Sequence, residues 1–257
     1  MSDLDGLRLE RDDDLATITL DVPEKLNRVS MRARDQLASL FEELGRDESV
    51  RAIVLTGAGD RAFTAGGDIA GFLERSPEEL SRLAWNVAAP ERCPTPVIAK
   101  LRGYCFGVGL ELSLACDFRI AADDVELGLP EVKIGMIPGS GGTQRLARMI
   151  GLGRAKDIIM RGRRIGADEA LAIGLVTEVV SAPELDAAVG HLVDQLRPLS
   201  PLTLAMAKRV LNHAYDGPLG LGLELEGLAY GLLRTTHDFS EGVKAFGEKR
   251  PPRFEGH

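Results

Sequence analysis

Apolar and polar positions recur along this chain with two periods, and the order in which those periods alternate predicts an α/β fold. Leu7 to Arg11 and Leu15 to Asp21 alternate apolar and polar on either side of Asp12-Asp13-Asp14, the pattern of a β-hairpin. Ser30 is placed to cap a helix running to about Leu44, with Leu37, Leu40, Phe41 and Leu44 on one face. Val50 to Thr56 is rich in branched side chains and predicts a strand. Pro96 to Leu101 predicts another, and its unbroken apolar character suggests a sheet covered on both faces. Helical spacing follows at Gly109 to Ala115, Gly142 to Ile150 and Arg154 to Met160, with short strands at Phe118 to Ala121 and Leu175 to Val180. From about Pro183 the strand signals stop. Helices are predicted over Leu185 to Leu196, Leu202 to Tyr215, Leu219 to Leu233 and Ser240 to Lys249, with Pro198 and Pro201 punctuating the change. Gly222, Gly227 and Gly231 weaken the third of these helices. Close packing against a neighbour, for instance another subunit, and an ordinary flexible helix both stand as explanations.

Composition narrows what those elements serve. A chain of 257 residues, 44% apolar and 27% charged, can bury one large core, alone or with a smaller appendage. With 31 basic against 39 acidic side chains and a net charge of -8, its field repels nucleic acid and anionic membrane, so neither is an expected partner. An anionic ligand must be captured locally. The start, Met1-Ser2-Asp3-Leu4-Asp5, has neither the basic nor the apolar region of a secretory signal, no apolar stretch is long enough to cross a bilayer, and a cytoplasmic location is expected. Cys93, Cys105 and Cys116 are odd in number, lack CxxC spacing and sit in apolar contexts, which reads as buried thiols. His191, His213, His237 and His257 have no i, i+4 pair of the kind a helical zinc site needs, so no metal is expected.

The richest chemistry lies in Gly103-Tyr104-Cys105-Phe106-Gly107-Val108-Gly109-Leu110-Glu111, followed twenty residues after its carboxylate by Pro130-Glu131. Glycine lets a ligand or another backbone come close, and a Glu opening an otherwise apolar helix sits where burial is normally penalised. Two such carboxylates suggest acid/base catalysis; a first-turn acid favoured by the helix dipole and a solvated loop acid are the bland alternatives. Gly57-Ala58-Gly59-Asp60-Arg61-Ala62 matches a dinucleotide fingerprint after a strand, but the chain runs into Phe63-Thr64-Ala65-Gly66-Gly67 rather than an apolar helix. No P-loop is present. Ser140 in Gly139-Ser140-Gly141-Gly142 lacks the first glycine of a nucleophile elbow and reads as a turn.

Four separated stretches resemble the crotonase (enoyl-CoA hydratase/isomerase) superfamily: Phe63 to Ile69, Gly103 to Glu111 continuing to Cys116-Asp117, Leu129 to Leu146, and Glu241 to Arg250. Among its members the chain is most similar in motif to enoyl-CoA hydratases. The resemblance implies an α/β fold, a spiral of ββα units with a helical C-terminal region. It divides the chain into a core carrying the active site at residues 1–195 and a helical trimerisation region at residues 196–257. It further implies a homotrimer or dimer of trimers, an acyl-CoA thioester substrate, and no cofactor beyond the coenzyme A of the substrate itself. An enolate would be held by the backbone N–H groups of Gly67 and Val108, the second replacing a customary glycine and adding bulk beside the acyl group. Glu131 would handle the Cα proton and Glu111 would activate water, with the Gly139 N–H as a further water contact. Lys25, Leu26, Ala65, Asp68, Ile69 and Lys249 would touch coenzyme A, Lys249 reaching phosphate from a neighbouring subunit; plain surface charge is the alternative for Lys25, Arg28 and Lys249. The implied reaction is hydration of a trans-2-enoyl-CoA. 3,2-Enoyl-CoA isomerisation, which needs one mobile proton carrier, or another crotonase-type reaction such as decarboxylation or thioester hydrolysis, is the alternative. A catalytically silent scaffold or RNA binder is disfavoured by the retained carboxylates and the negative charge. Phe72, Leu73, Leu83, Trp85 and Met136 are expected to line the acyl pocket.

Overall fold

The computed structural model describes residues 4–257; Met1 to Asp3, part of the start weighed above for a secretory signal, lie outside the described residues. In chain order the strands are β1 (Leu7–Asp12), β2 (Leu15–Leu20), β3 (Ala52–Gly57), β4 (Ala62–Thr64), β5 (Val97–Leu101), β6 (Tyr104–Phe106), β7 (Phe118–Ala122), β8 (Glu126–Gly128), β9 (Arg164–Gly166) and β10 (Glu178–Val180). The helices are α1 (Met31–Arg46), α2 (Pro77–Ser81), α3 (Leu83–Val87), α4 (Ala89–Arg92), α5 (Val108–Ala115), α6 (Gly142–Ile150), α7 (Leu152–Arg161), α8 (Ala167–Ala172), α9 (Leu185–Leu196), α10 (Pro201–Asn212), α11 (Leu219–Leu233) and α12 (His237–Glu248).

Two sheets share these strands. The first runs β1-β2-β3-β5-β7-β10, antiparallel only between β1 and β2; the second runs β4-β6-β8-β9, antiparallel only between β8 and β9. Each of the pairs β3/β4, β5/β6 and β7/β8 sends its first strand to one sheet and its second to the other before helical chain carries the path onward. That repetition is the ββα spiral expected above. Its consequence is local: β4, β6 and β8 are parallel neighbours, so the chain leaves all three at the same edge of the second sheet.

The first sheet is covered on both faces, as its unbroken apolar strands require. Ile53, Leu55, Val97, Ala99 and Leu101 face a core completed by Leu37, Phe41 and Leu44 of α1 and Leu110 and Leu112 of α5. Val54, Ile98, Ile120 and Ala122 pack on Leu185, Val189, Val193 and Leu196 of α9. Helix α1 begins where its sequence says: the Ser30 hydroxyl accepts from the Ala33 N–H at 2.9 Å. Buried Arg119 of β7 ties down the far end of α5, donating to the carbonyls of Ser113 (3.1 Å), Cys116 (2.8 Å) and Leu175 (2.8 Å).

Several expectations are corrected. The strand expected over Leu175 to Val180 is confined to Glu178–Val180, because Leu175 and Val176 turn back to bond the Ala170 carbonyl at the end of α8. The whole second sheet and α2 to α4 were not predicted. The glycine-rich turn after β3 opens no helix: the chain passes through Gly59 at φ +74° directly into β4. Glycines 222, 227 and 231 of α11 meet nothing within 4 Å at their Cβ positions, so close packing inside this chain does not explain them.

The C-terminal helices attach through a buried ion pair. Lys208 of α10 donates to Asp117 (2.7 Å) and to the carbonyls of Pro90 (2.8 Å) and Thr95 (3.2 Å), while Asp117 accepts the Val97 N–H at 2.7 Å. Removing one partner of such a pair strands the other charge, so Lys208→Met is expected to lower stability by about 3 kcal/mol in urea unfolding, and adding Asp117→Asn should recover part of the loss. A loss below about 0.5 kcal/mol, the size of an exposed pair, would remove the anchoring role.

Candidate active site

Three strand exits converge at the shared edge of the second sheet. β4 leads into Ala65-Gly66-Gly67, β6 into Gly107-Val108 and the start of α5, and β8 into the 3-10 turn Pro130–Ile134. Gly107 adopts φ +56°, ψ −125°, a conformation that glycine takes readily, and its N–H bonds the Gly128 carbonyl at 3.0 Å. A Cβ there would stand 3.1 Å from Glu131 Oε1 and 3.9 Å from the Gly66 Cα. Glu131 is thus brought against both glycine segments.

Both proposed oxyanion donors have their N–H groups unengaged by secondary structure. Val108 is the first residue of α5, where a helical N–H has no intrahelical acceptor and the dipole favours negative charge. Around Gly67, Val29 gives its N–H to the Gly66 carbonyl (3.0 Å) and accepts the Asp68 N–H (3.2 Å), an exchange that leaves out the Gly67 N–H. A Cβ at position 67 would lie 2.6 Å from Nη2 of buried Arg34. Val108 is itself buried, its isopropyl group joined to the core.

Glu111 sits one turn into α5, only 2% exposed. Its Oε1 accepts the N–H of Ser140 (2.7 Å) and of Gly142 (3.0 Å), so the loop after Glu131 folds back to solvate it. Burial raises the carboxyl above its ordinary range, opposed by those two N–H groups and by the positive charge of Arg34. Glu131 is raised to about 7, first by burial and further by the charge of Glu111, with only its own backbone N–H opposing. The charge of Glu111 thus acts on Glu131; Glu111 is enclosed in the first turn of α5, and Glu131 is part-buried.

Two residues with no role assigned by sequence belong to this group. Arg34 donates from Nη1 to the Ser140 hydroxyl at 3.1 Å and lies over the Phe72 ring at 5.3 Å, and burial holds its guanidinium below the usual arginine range. Ser140, taken for a plain turn, is 2% exposed and uses its N–H, hydroxyl and carbonyl at once, the carbonyl accepting from Arg145 Nη1 at 3.1 Å. A signal for Arg34 existed: it shares the apolar face of α1 with Leu37, Phe41 and Leu44. Among the described residues, the buried side-chain polar atoms left without a hydrogen-bond partner are Arg34 Nε and Glu131 Oε2, both at this site.

Of the remaining expected residues, Leu26 and Ala65 are brought together, with Lys25 beside the first and Asp68 and Ile69 following the second in the chain. The Ala65 N–H bonds the Leu26 carbonyl at 2.9 Å, and Asp68 pairs with Arg28 at 3.1 Å. Asn27 turns inward instead, its amide donating to the carbonyls of Ala58 (2.9 Å) and Ala62 (2.8 Å), so it shapes this turn rather than facing a ligand. Gly139 lies exposed between buried Pro138 and Ser140. Lys249 stands apart, exposed in a left-handed cap after α12. Of the expected lining, Leu83 is buried, Phe72 is half-buried under Arg34, and Leu73, Trp85 and Met136 are exposed, as are Ile69 and Ile137.

Comparison with known proteins identifies the family of the chain. Residues 10–257 match the protein family described as enoyl-CoA hydratase/isomerase. The chain is 34% identical over 252 residues to the short-chain-enoyl-CoA hydratase of Clostridium acetobutylicum, covering 96% of this chain and 97% of that one. It is 35% identical over 255 residues to the crotonyl-CoA hydratase of Syntrophomonas wolfei, covering 97% and 98%. The crystal structure of enoyl-CoA hydratase from Bacillus anthracis superposes with a TM-score of 0.92 at 36% identity, covering 98% of this chain and all of that one.

A carboxyl raised in the folded state makes that state hold more protons than the unfolded chain, so stability falls as pH rises from about 4.5 to about 7. Glu131→Gln removes this slope: the variant should melt above the parent at pH 8 and match it below pH 4 on the same acid-range scale. Parallel melting curves across that range would mean that Glu131 is not enclosed as described.

Proposed function

Because the chain belongs to the enoyl-CoA hydratase/isomerase family, we propose that it adds water reversibly across the double bond of a trans-2-enoyl-CoA thioester. The observation that carries this reading is the meeting of two raised carboxyls, Glu111 and Glu131, beside the unengaged N–H groups of Gly67 and Val108. The thioester oxygen accepts from both N–H groups, which become better hydrogen-bonded as enolate charge builds; one such donor contributes about 2.7 to 4 kcal/mol to the lowered barrier. Ionised Glu111 takes a proton from water as the water oxygen bonds to Cβ, with the Gly139 N–H orienting that water. The π electrons move onto the thioester oxygen as an enolate. Protonated Glu131 then delivers its proton to Cα, the carbonyl reforms, and OH and H have been added across the bond. The reverse sequence is dehydration.

An acid raised to about 7 is half protonated near neutrality, which suits a group that gives and regains a proton each turnover. Hydration uses both carboxyls in opposite states, whereas moving a double bond between the 3- and 2-positions needs only one of them. Coenzyme A is placed along Lys25, Leu26, Ala65, Asp68 and Ile69, where the two loops are joined by the Leu26–Ala65 hydrogen bond. The exposed apolar rim of Ile69, Leu73, Met136 and Ile137 suits the acyl and pantetheine chain. No cofactor beyond the substrate's coenzyme A enters this scheme. Helices α10 to α12 leave Leu211, Leu219, Leu228, Tyr230 and Phe246 exposed, and Tyr215 is exposed in the turn between α10 and α11; burial of this region in a homotrimer, with Lys249 reaching a neighbour's coenzyme A, fits the family's habit. No helix among the described residues is long and apolar enough to cross a membrane; a cytoplasmic site of action remains part of this proposal.

The purified protein is expected to convert a short trans-2-enoyl-CoA to its 3-hydroxyacyl-CoA. Glu111→Gln and Glu131→Gln should each lower kcat by about 10²-fold or more, with the parent fold retained by circular dichroism. Chromatography that finds only double-bond shift in a 3-enoyl-CoA, and no hydrated product from the 2-enoyl isomer, would replace this reading with isomerisation.

A further inference from the structure

The reaction asks two neighbouring acids to hold opposite protonation states, yet nothing in their side chains distinguishes one Glu from the other. The surroundings do. Arg34 reaches across from α1 into the space between the Gly67 α-carbon and the Ser140 hydroxyl, and its charge acts on Glu111. Ser140 in turn gives its N–H to Glu111 Oε1 at 2.7 Å. Its position is fixed from the other side by Arg145, which bonds the Ser140 carbonyl and pairs with Glu91 at 2.5 Å, so Arg145 is charge-compensated and Arg34 is not. Arg34 forms no salt bridge to any carboxylate among the described residues; its bonded partner is a neutral hydroxyl. The uncompensated cation nearest the carboxyl pair therefore stands on the Glu111 side.

We infer that Arg34 is a positioning residue for hydration: through Ser140 and through its own charge it holds Glu111 as the ionised member of the pair, and so assigns Glu111 to the water and Glu131 to the carbon. The inference rests on the reading of the site given above. It explains why a guanidinium lies on the apolar stripe of a helix at a cost in desolvation. Other charged groups facing Glu111 do not make the same distinction. Glu131 is the partner itself, Arg145 is paired to Glu91, and Asp35 acts on Arg34. The segments α3 and β6 packed near α5 bring no charged side chain; Arg92 of α4 is exposed and donates to the Trp85 carbonyl (2.7 Å), Arg148 of α6 is exposed and donates to Gln144 (3.3 Å), and Arg119 lies at the opposite end of α5, bonded to carbonyls.

The test compares Arg34→Met, Arg34→Lys and the parent by two readouts. In the pH profile of kcat/KM, loss of activity on the acid side reports protonation of the base. In Arg34→Met that limb is expected to move up by about one unit or more, as for a carboxyl losing an adjacent cation, the bell to narrow, and kcat at neutral pH to fall about tenfold or more with KM little changed. Arg34→Lys keeps a charge in place and should restore most of the limb position. The second readout needs no turnover: carbon-13 NMR titration of glutamate carboxyls in the substrate-free protein, with Glu111 assigned by the loss of its signal in Glu111→Gln. Its midpoint should rise in Arg34→Met and stay near the parent's in Arg34→Lys. An unmoved Glu111 midpoint in folded Arg34→Met, or an equal shift in the lysine variant, overturns the inference. Should the methionine variant fail to fold, Arg34→Gln, which keeps a donor for Ser140 but no charge, takes its place. A parent that titrates as described but hydrates no enoyl-CoA would count against the proposed reaction alone.

Discussion

A carboxylate cannot remain ionised inside a protein unless the protein replaces its water, and the burial of Glu111 organises much of this chain around that demand. Its solvation comes from main-chain N–H groups of Ser140 and Gly142, thirty residues downstream, so the segment after Glu131 must return to the start of α5 before the charge is tolerable. That return brings the loop carrying Glu131 back beside the start of α5. The second sheet fixes where this happens: because β4, β6 and β8 are parallel, their exits deliver the Gly66-Gly67 turn, the head of α5 and Glu131 to one edge. Ligands in parallel sheets gather at the carboxyl ends of strands for the same reason.

Much of the first sheet and nearly all of the helical tail were legible because they are long enough to show a period. Leu185 to Leu196 and Leu219 to Leu233 fall on the residues that their spacing marks. The second sheet was not legible, since Ala62–Thr64, Tyr104–Phe106, Glu126–Gly128 and Arg164–Gly166 have three residues each and no room for an alternating pattern. Their pairing comes from tertiary context: the longer strands of the first sheet set the spacing at which the short ones meet. The 77–92 region was missed for a related reason, as α2 to α4 are four or five residues each and are separated by non-helical joints.

The site was legible wherever glycine or an acid interrupts an apolar run. Gly107 and Glu111 are conspicuous against Val108, Leu110 and Leu112, and the structure supplies the cause in a positive φ and a buried carboxylate. Arg34 was not conspicuous, because a basic residue on a largely polar helix reads as solvated; only its register with Leu37, Phe41 and Leu44 betrays it. Gly67 was legible as a close approach, but not what approaches it: the neighbour is Arg34, more than thirty residues away in sequence. Motifs thus expose backbone constraints readily, while contacts between distant elements need the fold.

The distribution of unsatisfied groups ties these strands together. Folding selects strongly against enclosed polar atoms without partners, and elsewhere in the described chain buried side-chain groups have found them, Arg119 on four carbonyls and Lys208 on two carbonyls and a carboxylate. The exceptions, Arg34 Nε and Glu131 Oε2, belong to one cluster of opposite charges whose acids are both raised by burial. Other buried cations are satisfied, and these two atoms lie in the cluster that the proposed reaction uses for proton transfer. Satisfying Glu131 with a permanent donor would lower its carboxyl toward the ordinary range and leave it ionised at neutral pH, unable to deliver a proton to carbon. In the proposed reaction a raised Glu131 is what lets a proton be held for carbon, and the satisfied charges of the rest of the core offset the cost of enclosing it.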